Sequence, residues 1–80
     1  MDFLKEYGLT NEDIENLEIN LENDDINFIC MHEEEMKEII EYFISKGLNK
    51  DDIIELLIYK TELFYETKDK VKEIYETNDN

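Results

Sequence analysis

Eighty residues carrying a net charge of −15 and a single cysteine bound the problem to one small domain, 1–80, with no internal disulfide and a surface that repels anionic membranes and nucleic acid. No apolar run approaches the ~18 residues that cross a bilayer, and the first residues, "MDFLKEYG", carry an acid and no apolar core of the kind a secretory signal needs. A cytoplasmic location is expected, and the lone Cys30 fits a reducing compartment.

Residues 2–7, "DFLKEY", predict a short helix that Gly8 stops. Thr10 then offers an N-cap with Asp13 at the third helical position, a variant of the capping box, and Ile14 and Leu17 supply an apolar side. Residues 17–31, "LEINLENDDINFICM", have two readings. With period two, Leu17, Ile19 and Leu21 alternate with Glu18, Asn20 and Glu22, and Ile26 and Phe28 continue the alternation beyond a polar turn at Asn23-Asp24-Asp25. With period 3.6, Ile14, Leu17 and Leu21 share a helix face and Ile19 falls outside it. The hairpin accommodates more residues, so strands are expected at about 17–22 and 26–31. The expected class is therefore α+β, helix-dominated, with an all-α fold as the alternative.

Two longer helices follow, at about 33–46 and 50–76. In the first, Met36, Ile39, Ile40, Phe43 and Ile44 recur at i, i+3, i+4, i+7 and i+8, Glu33 to Glu35 favour the N-terminal end of the helix dipole, and Gly47 ends it. In the second, Asn49 is the N-cap, and Ile53, Leu56, Leu57, Leu63, Phe64, Val71, Ile74 and Tyr75 can share a stripe that thins at Thr67 and Lys68, where a break also fits. Residues 77–80, "TNDN", should fray.

One internal echo stands out: "YGLTNEDIENL" (7–17) and "KGLNKDDIIELL" (46–57) share Gly-Leu, a capping residue, acids in the first turn, Ile and Leu. This pattern resembles the helical repeats of mitochondrial transcription terminators. The proline that usually breaks that repeat is absent, as is the basic surface with which those proteins track nucleic acid, so no functional residue is carried over. The echo reads as two helix starts obeying the same capping rules.

Charge is unevenly distributed. Residues 1–35 hold twelve acids and one Lys, a net −11, whereas residues 36–80 hold eleven acids and seven Lys, a net −4. The later segment intersperses its signs at helical spacing, as a solvated face does. The earlier one does not, and such asymmetry points to a partner-facing surface.

Catalytic and metal motifs are weak. His32-Glu33 opens like the zinc helix H-E-x-x-H, but position 36 is Met and His32 is the only histidine, so His32 reads as a helix N-cap. Cys30 lies beside Glu33, Glu34 and Glu35, which oppose thiolate formation, and is expected to be buried and inert. "NDDIN" (23–27) lacks the glycine and terminal glutamate of a calcium loop. No catalytic residue, metal ligand, cofactor or enzymatic activity is expected.

What remains is binding. Small, acidic, Arg-free single domains are similar in type to phage-encoded anti-defence proteins, including anti-CRISPR inhibitors and DNA mimics. That likeness implies an inhibitor that occupies a basic, nucleic-acid-binding surface of a target protein, with no direct contact to nucleic acid. The carboxylates expected to carry the mimicry are Asp13, Glu15, Glu18, Glu22, Asp24, Asp25, Glu34 and Glu38. The alternative is a helical interaction module or homodimer without mimicry, held by apolar residues off the main stripe of 50–76: Ile54, Ile58 and Tyr59.

Overall fold

The computed structural model describes residues 1–78, and over them the chain is all-α. A 3-10 segment, Asp2–Tyr7, precedes α1 (Asn11–Asn20), α2 (Asn23–Met31), α3 (Glu33–Ser45) and α4 (Lys50–Tyr59); a second 3-10 segment, Thr61–Tyr65, leads to α5 (Lys68–Asn78). The all-α alternative holds, and the hairpin expected at 17–22 and 26–31 is overturned: no strand occurs among the described residues.

The reason lies upstream of the ambiguous stretch. Thr10 accepts from the Asp13 amide at 3.2 Å, and the Asp13 carboxylate accepts from the Thr10 amide at 2.9 Å. This closed capping box commits the chain to helical geometry before residue 17. The 3.6-residue period then wins. Ile14, Leu17 and Leu21 are buried, while Ile19 is 81% exposed. The polar residues read as a turn are instead the first turn of α2, where Asp24 and Asp25 meet the positive end of the helix dipole. Helical phase also turns Cys30 outward beside the buried Ile29, so the expectation of a buried thiol is corrected: Cys30 is exposed. Truncating Leu17 to alanine is expected to cost about 2–5 kcal/mol, whereas Ile19→Ala should stay within about 0.5 kcal/mol. Urea unfolding of the pair checks the helical register, because a hairpin would make both residues matter.

The continuous helix expected over 50–76 is also corrected, in favour of the break allowed at Thr67 and Lys68 and of a second, earlier one. It breaks twice, at Lys60 (φ −129°, ψ 43°) and at Glu66 (φ −95°, ψ 170°). Threonines sit at both breaks. The Thr61 hydroxyl donates back to the Leu57 carbonyl at 2.6 Å, and the Thr67 hydroxyl accepts from the Lys70 amide at 3.2 Å as a cap for α5. A straight helix over that span would be about 40 Å long at ~1.5 Å per residue, longer than the whole molecule at 34 × 23 × 21 Å. Folding back buries Phe64 and Val71. The fraying expected over 77–80 falls partly on residues 79 and 80, which lie outside the described residues; 77 and 78 close α5.

α1 packs on α4, α3 on α5, and α2 on α3. Leu17, Ile29, Phe43, Leu57 and Val71 bring one side chain from each α-helix into a single core. In α3 the expected stripe holds for Met36, Ile39, Ile40 and Phe43, but Ile44 is 41% exposed and Tyr42 is buried instead. Gly8 and Gly47 both adopt φ +93°, a left-handed conformation that glycine takes without strain. Each is followed by Leu, a capping residue with a closed capping box, and a ten-residue helix. The same number of positions separates Gly8 from Gly47, Asn11 from Lys50 and Asn20 from Tyr59, so the echo in the sequence is a repeated chain junction.

Candidate functional site

The acidic surface is built on α1, the link to α2 and the N-terminal part of α3. Burying Ile14 and Leu17 turns Glu12, Glu15 and Glu18 outward along α1. Glu22 and Asp24 extend this exposed row across the extended backbone at Leu21 and Glu22. On α3, Glu34 and Glu38 lie one turn apart and both are exposed.

The eight carboxylates expected to act together are not equivalent. Asp13 is committed internally: besides its cap bond it accepts from Lys50 Nζ at 3.0 Å, tying α1 to α4. The Thr10 amide, then Lys50, hold its carboxyl below the usual carboxylate range. Asp25 is half-buried and accepts the Tyr65 hydroxyl, which joins α2 to the second 3-10 segment. Glu15, Glu18, Glu22, Asp24, Glu34 and Glu38 have no ion pair among the described residues, where the pairs are Lys37–Glu6, Lys46–Glu76 and Lys50–Asp13.

Two tyrosines, Tyr7 and Tyr65, organise this surface. Tyr7 donates to Glu41 at 2.8 Å. Burial first, then that bond and the charges of Glu41, Glu6 and Glu34, raise its phenol far above the ordinary value. Tyr65 is pushed up to about 12, mainly by its bond to Asp25, then by desolvation and the charges of Asp25, Asp24 and Glu22. The acidic surface thus has two foci: Glu6, Glu34 and Glu41 around Tyr7, and Glu22, Asp24 and Asp25 around Tyr65. These contacts bridge positions far apart in the chain, so only the number of tyrosines beside acids hinted at them.

The Tyr65 ring lies tilted by 32° against Phe28 with centroids 4.1 Å apart, and His32 stacks on Phe28, also at 4.1 Å. His32 stands at the boundary of α2 and α3, as an N-cap reading places it, but its side chain makes no cap bond to α3. Its Nδ1 lies 2.9 Å from the Phe28 carbonyl instead, closing the C-terminal end of α2. No group of three or more His, Cys, Asp or Glu side chains among the described residues is arranged to hold a metal ion.

Tyr65 provides a pH test. Its folded-state pKa lies above the ordinary 10.0, so the stability linked to its protonated form is complete below pH 10.0 and is lost as the pH rises toward about 12. An alkaline titration followed by phenolate absorbance should show two late-ionising tyrosines, Tyr7 the later, and Tyr65→Phe should remove the earlier of the two. Ordinary ionisation of all tyrosines would exclude the Asp25 contact.

A second surface lies on α4, the second 3-10 segment and α5. Two adjoining cavities of about 490 and 320 Å³ share Leu56, Lys60 and Tyr75 as walls. Tyr59, 76% exposed, stands at the edge of the larger one. No helix among the described residues is long and apolar enough to cross a membrane. Comparison of the chain with protein-family models, curated proteins and solved structures found no match.

Proposed function

We propose that this chain is a stoichiometric protein-binding inhibitor whose acidic surface occupies a basic, nucleic-acid-binding surface of a cytoplasmic target. The observation that carries the reading is the exposed row Glu12, Glu15, Glu18, Glu22 and Asp24, which no Lys neutralises among the described residues. Self-repulsion makes such a row costly to fold unless a cationic surface meets it.

Charge density supports the same reading. Duplex DNA carries one negative charge per ~1.7 Å, about 20 along 34 Å of axis. The chain places a net −15 on a body whose long dimension is 34 Å. A Lys/Arg groove shaped for a duplex would meet a comparable field, and electrostatic steering would speed the encounter. The likeness in type to phage anti-defence inhibitors, including anti-CRISPR proteins, fits this mode of action.

The test is capture on the immobilised chain from a nuclease-treated lysate, followed by elution with duplex DNA at constant ionic strength. Retention of a nucleic-acid-binding protein that duplex DNA displaces is the expected result. Proteins that resist both DNA and salt, or no retained protein in lysates of any candidate host, would overturn the reading.

A further inference from the structure

The groove between α4 and α5 shares no residue with the acidic row, and it combines three features. Its floor and walls are apolar, from Leu48, Leu56, Leu63, Ile74 and Tyr75. It is divided into two adjoining cavities, each large enough for a bulky aliphatic or aromatic side chain. Its rim carries Asp52, Glu55 and Glu62 against one cation, Lys60.

We infer that this groove docks an amphipathic basic helix, two of whose apolar side chains, one turn apart, fill the two cavities while flanking Lys or Arg residues meet Asp52, Glu55 and Glu62. Adjacent cavities with a shared wall match the i, i+3 or i, i+4 spacing of anchors on one helix face. Tyr59 is a large, mostly exposed aromatic at the edge of the groove, the kind of side chain enriched at binding hot spots.

Charge decides the occupant. A second copy of this chain brings its own −15, and a two-fold contact, which uses the same patch on both copies, sets one acidic rim against another. A basic helix turns the same rim into an attraction. The site is independent of the acidic row, so the chain can hold two partners, or two parts of one partner.

The experiment titrates the full chain with a fluorescent Leu/Lys helix of about four turns, watching anisotropy and amide chemical shifts. Two control peptides accompany it: the same composition scrambled to destroy the apolar stripe, and a Leu/Glu counterpart. The amphipathic basic peptide should bind at least about tenfold tighter than the scrambled one, with shifts centred on Leu56, Tyr59, Ile74 and Tyr75. Tyr59→Ala and Glu55→Lys, both at exposed positions, should each weaken it, and Glu15→Gln with Glu18→Gln should not.

Equal binding of the scrambled peptide, or loss of binding in the Glu15/Glu18 variant alone, would reduce the effect to general charge attraction and overturn the proposal. Sedimentation showing a dimer that Tyr59→Ala dissociates would assign the groove to a second copy and overturn it equally. The readout is separate from DNA-displaceable capture, so either reading can fail alone.

Discussion

Replacing Phe43 by alanine removes most of the stability of the fold. Phe43 is fully buried in α3, and its ring lies 5.6 Å from that of Tyr75 and 6.1 Å from that of Phe64. It is therefore the aromatic link between α3, the second 3-10 segment and α5. A buried Phe→Ala change costs about 3–5 kcal/mol. A domain of this length has about 4–12 kcal/mol in total, and repulsion within a −15 chain draws it down. Circular dichroism should show a melting temperature lowered by at least about 12 °C, or no cooperative transition. A shift below about 5 °C would mean that α3 and α5 do not meet through this ring.

Neutralising Glu15, Glu18, Glu22 and Asp24 together, as E15Q, E18Q, E22Q and D24N, should move binding and stability in opposite directions. None of the four has an ion pair among the described residues, and all are exposed. Each contact to a cation on the target contributes about 0.5 kcal/mol as an exposed pair. Four sum to about 2 kcal/mol, or about thirtyfold in affinity for the DNA-displaceable partner. The same changes remove four mutually repelling charges against one helix-dipole contact, that of Asp24, so the melting temperature should rise on balance. Salt provides the parallel on the unmodified chain. Raising ionic strength from 0.01 to 0.15 M shortens the screening length from about 30 to about 8 Å, which should stabilise the fold and weaken the complex. Unchanged affinity with a raised melting temperature would leave the acids as solubilising groups and sink the mimic reading.

The helix boundaries set by local chemistry were legible in the sequence. Gly8 and Gly47 stand as stops where the backbone turns left-handed, and Thr10 and Asn49 as caps where their side chains close the helix start. The apolar periodicity of α3 was legible too, short of the exchange of Ile44 for Tyr42. Residues 17–31 misled because Leu17, Ile19 and Leu21 satisfy a two-residue period by accident. The decisive fact, that Ile19 is left in solvent, depends on which helix α1 meets. The break at Lys60 was hidden for a related reason: it comes from the Thr61 hydroxyl and the pull of Phe64 into the core, without Gly or Pro to announce it, whereas the break before α5 was signalled by the thinning stripe at Thr67 and Lys68. At the candidate site, the row of free acids could be read directly, whereas the commitment of Asp13 to Lys50 and of Asp25 to Tyr65 joins segments that only the fold brings together.

The pairing of α1 with α4 has a consequence for synthesis. A ribosome delivers the N-terminal segment first, at about 5–20 residues per second, so Ile14 and Leu17 emerge about 2–8 s before the α4 segment that will cover them. Through that interval the apolar side of α1 has only the short Asp2–Tyr7 segment to pack on within the nascent chain. Glu12, Glu15, Glu18 and Glu22 surround it with like charge, which discourages two nascent chains from sticking together. The row proposed to meet a target in the finished protein thus also protects the unfinished one.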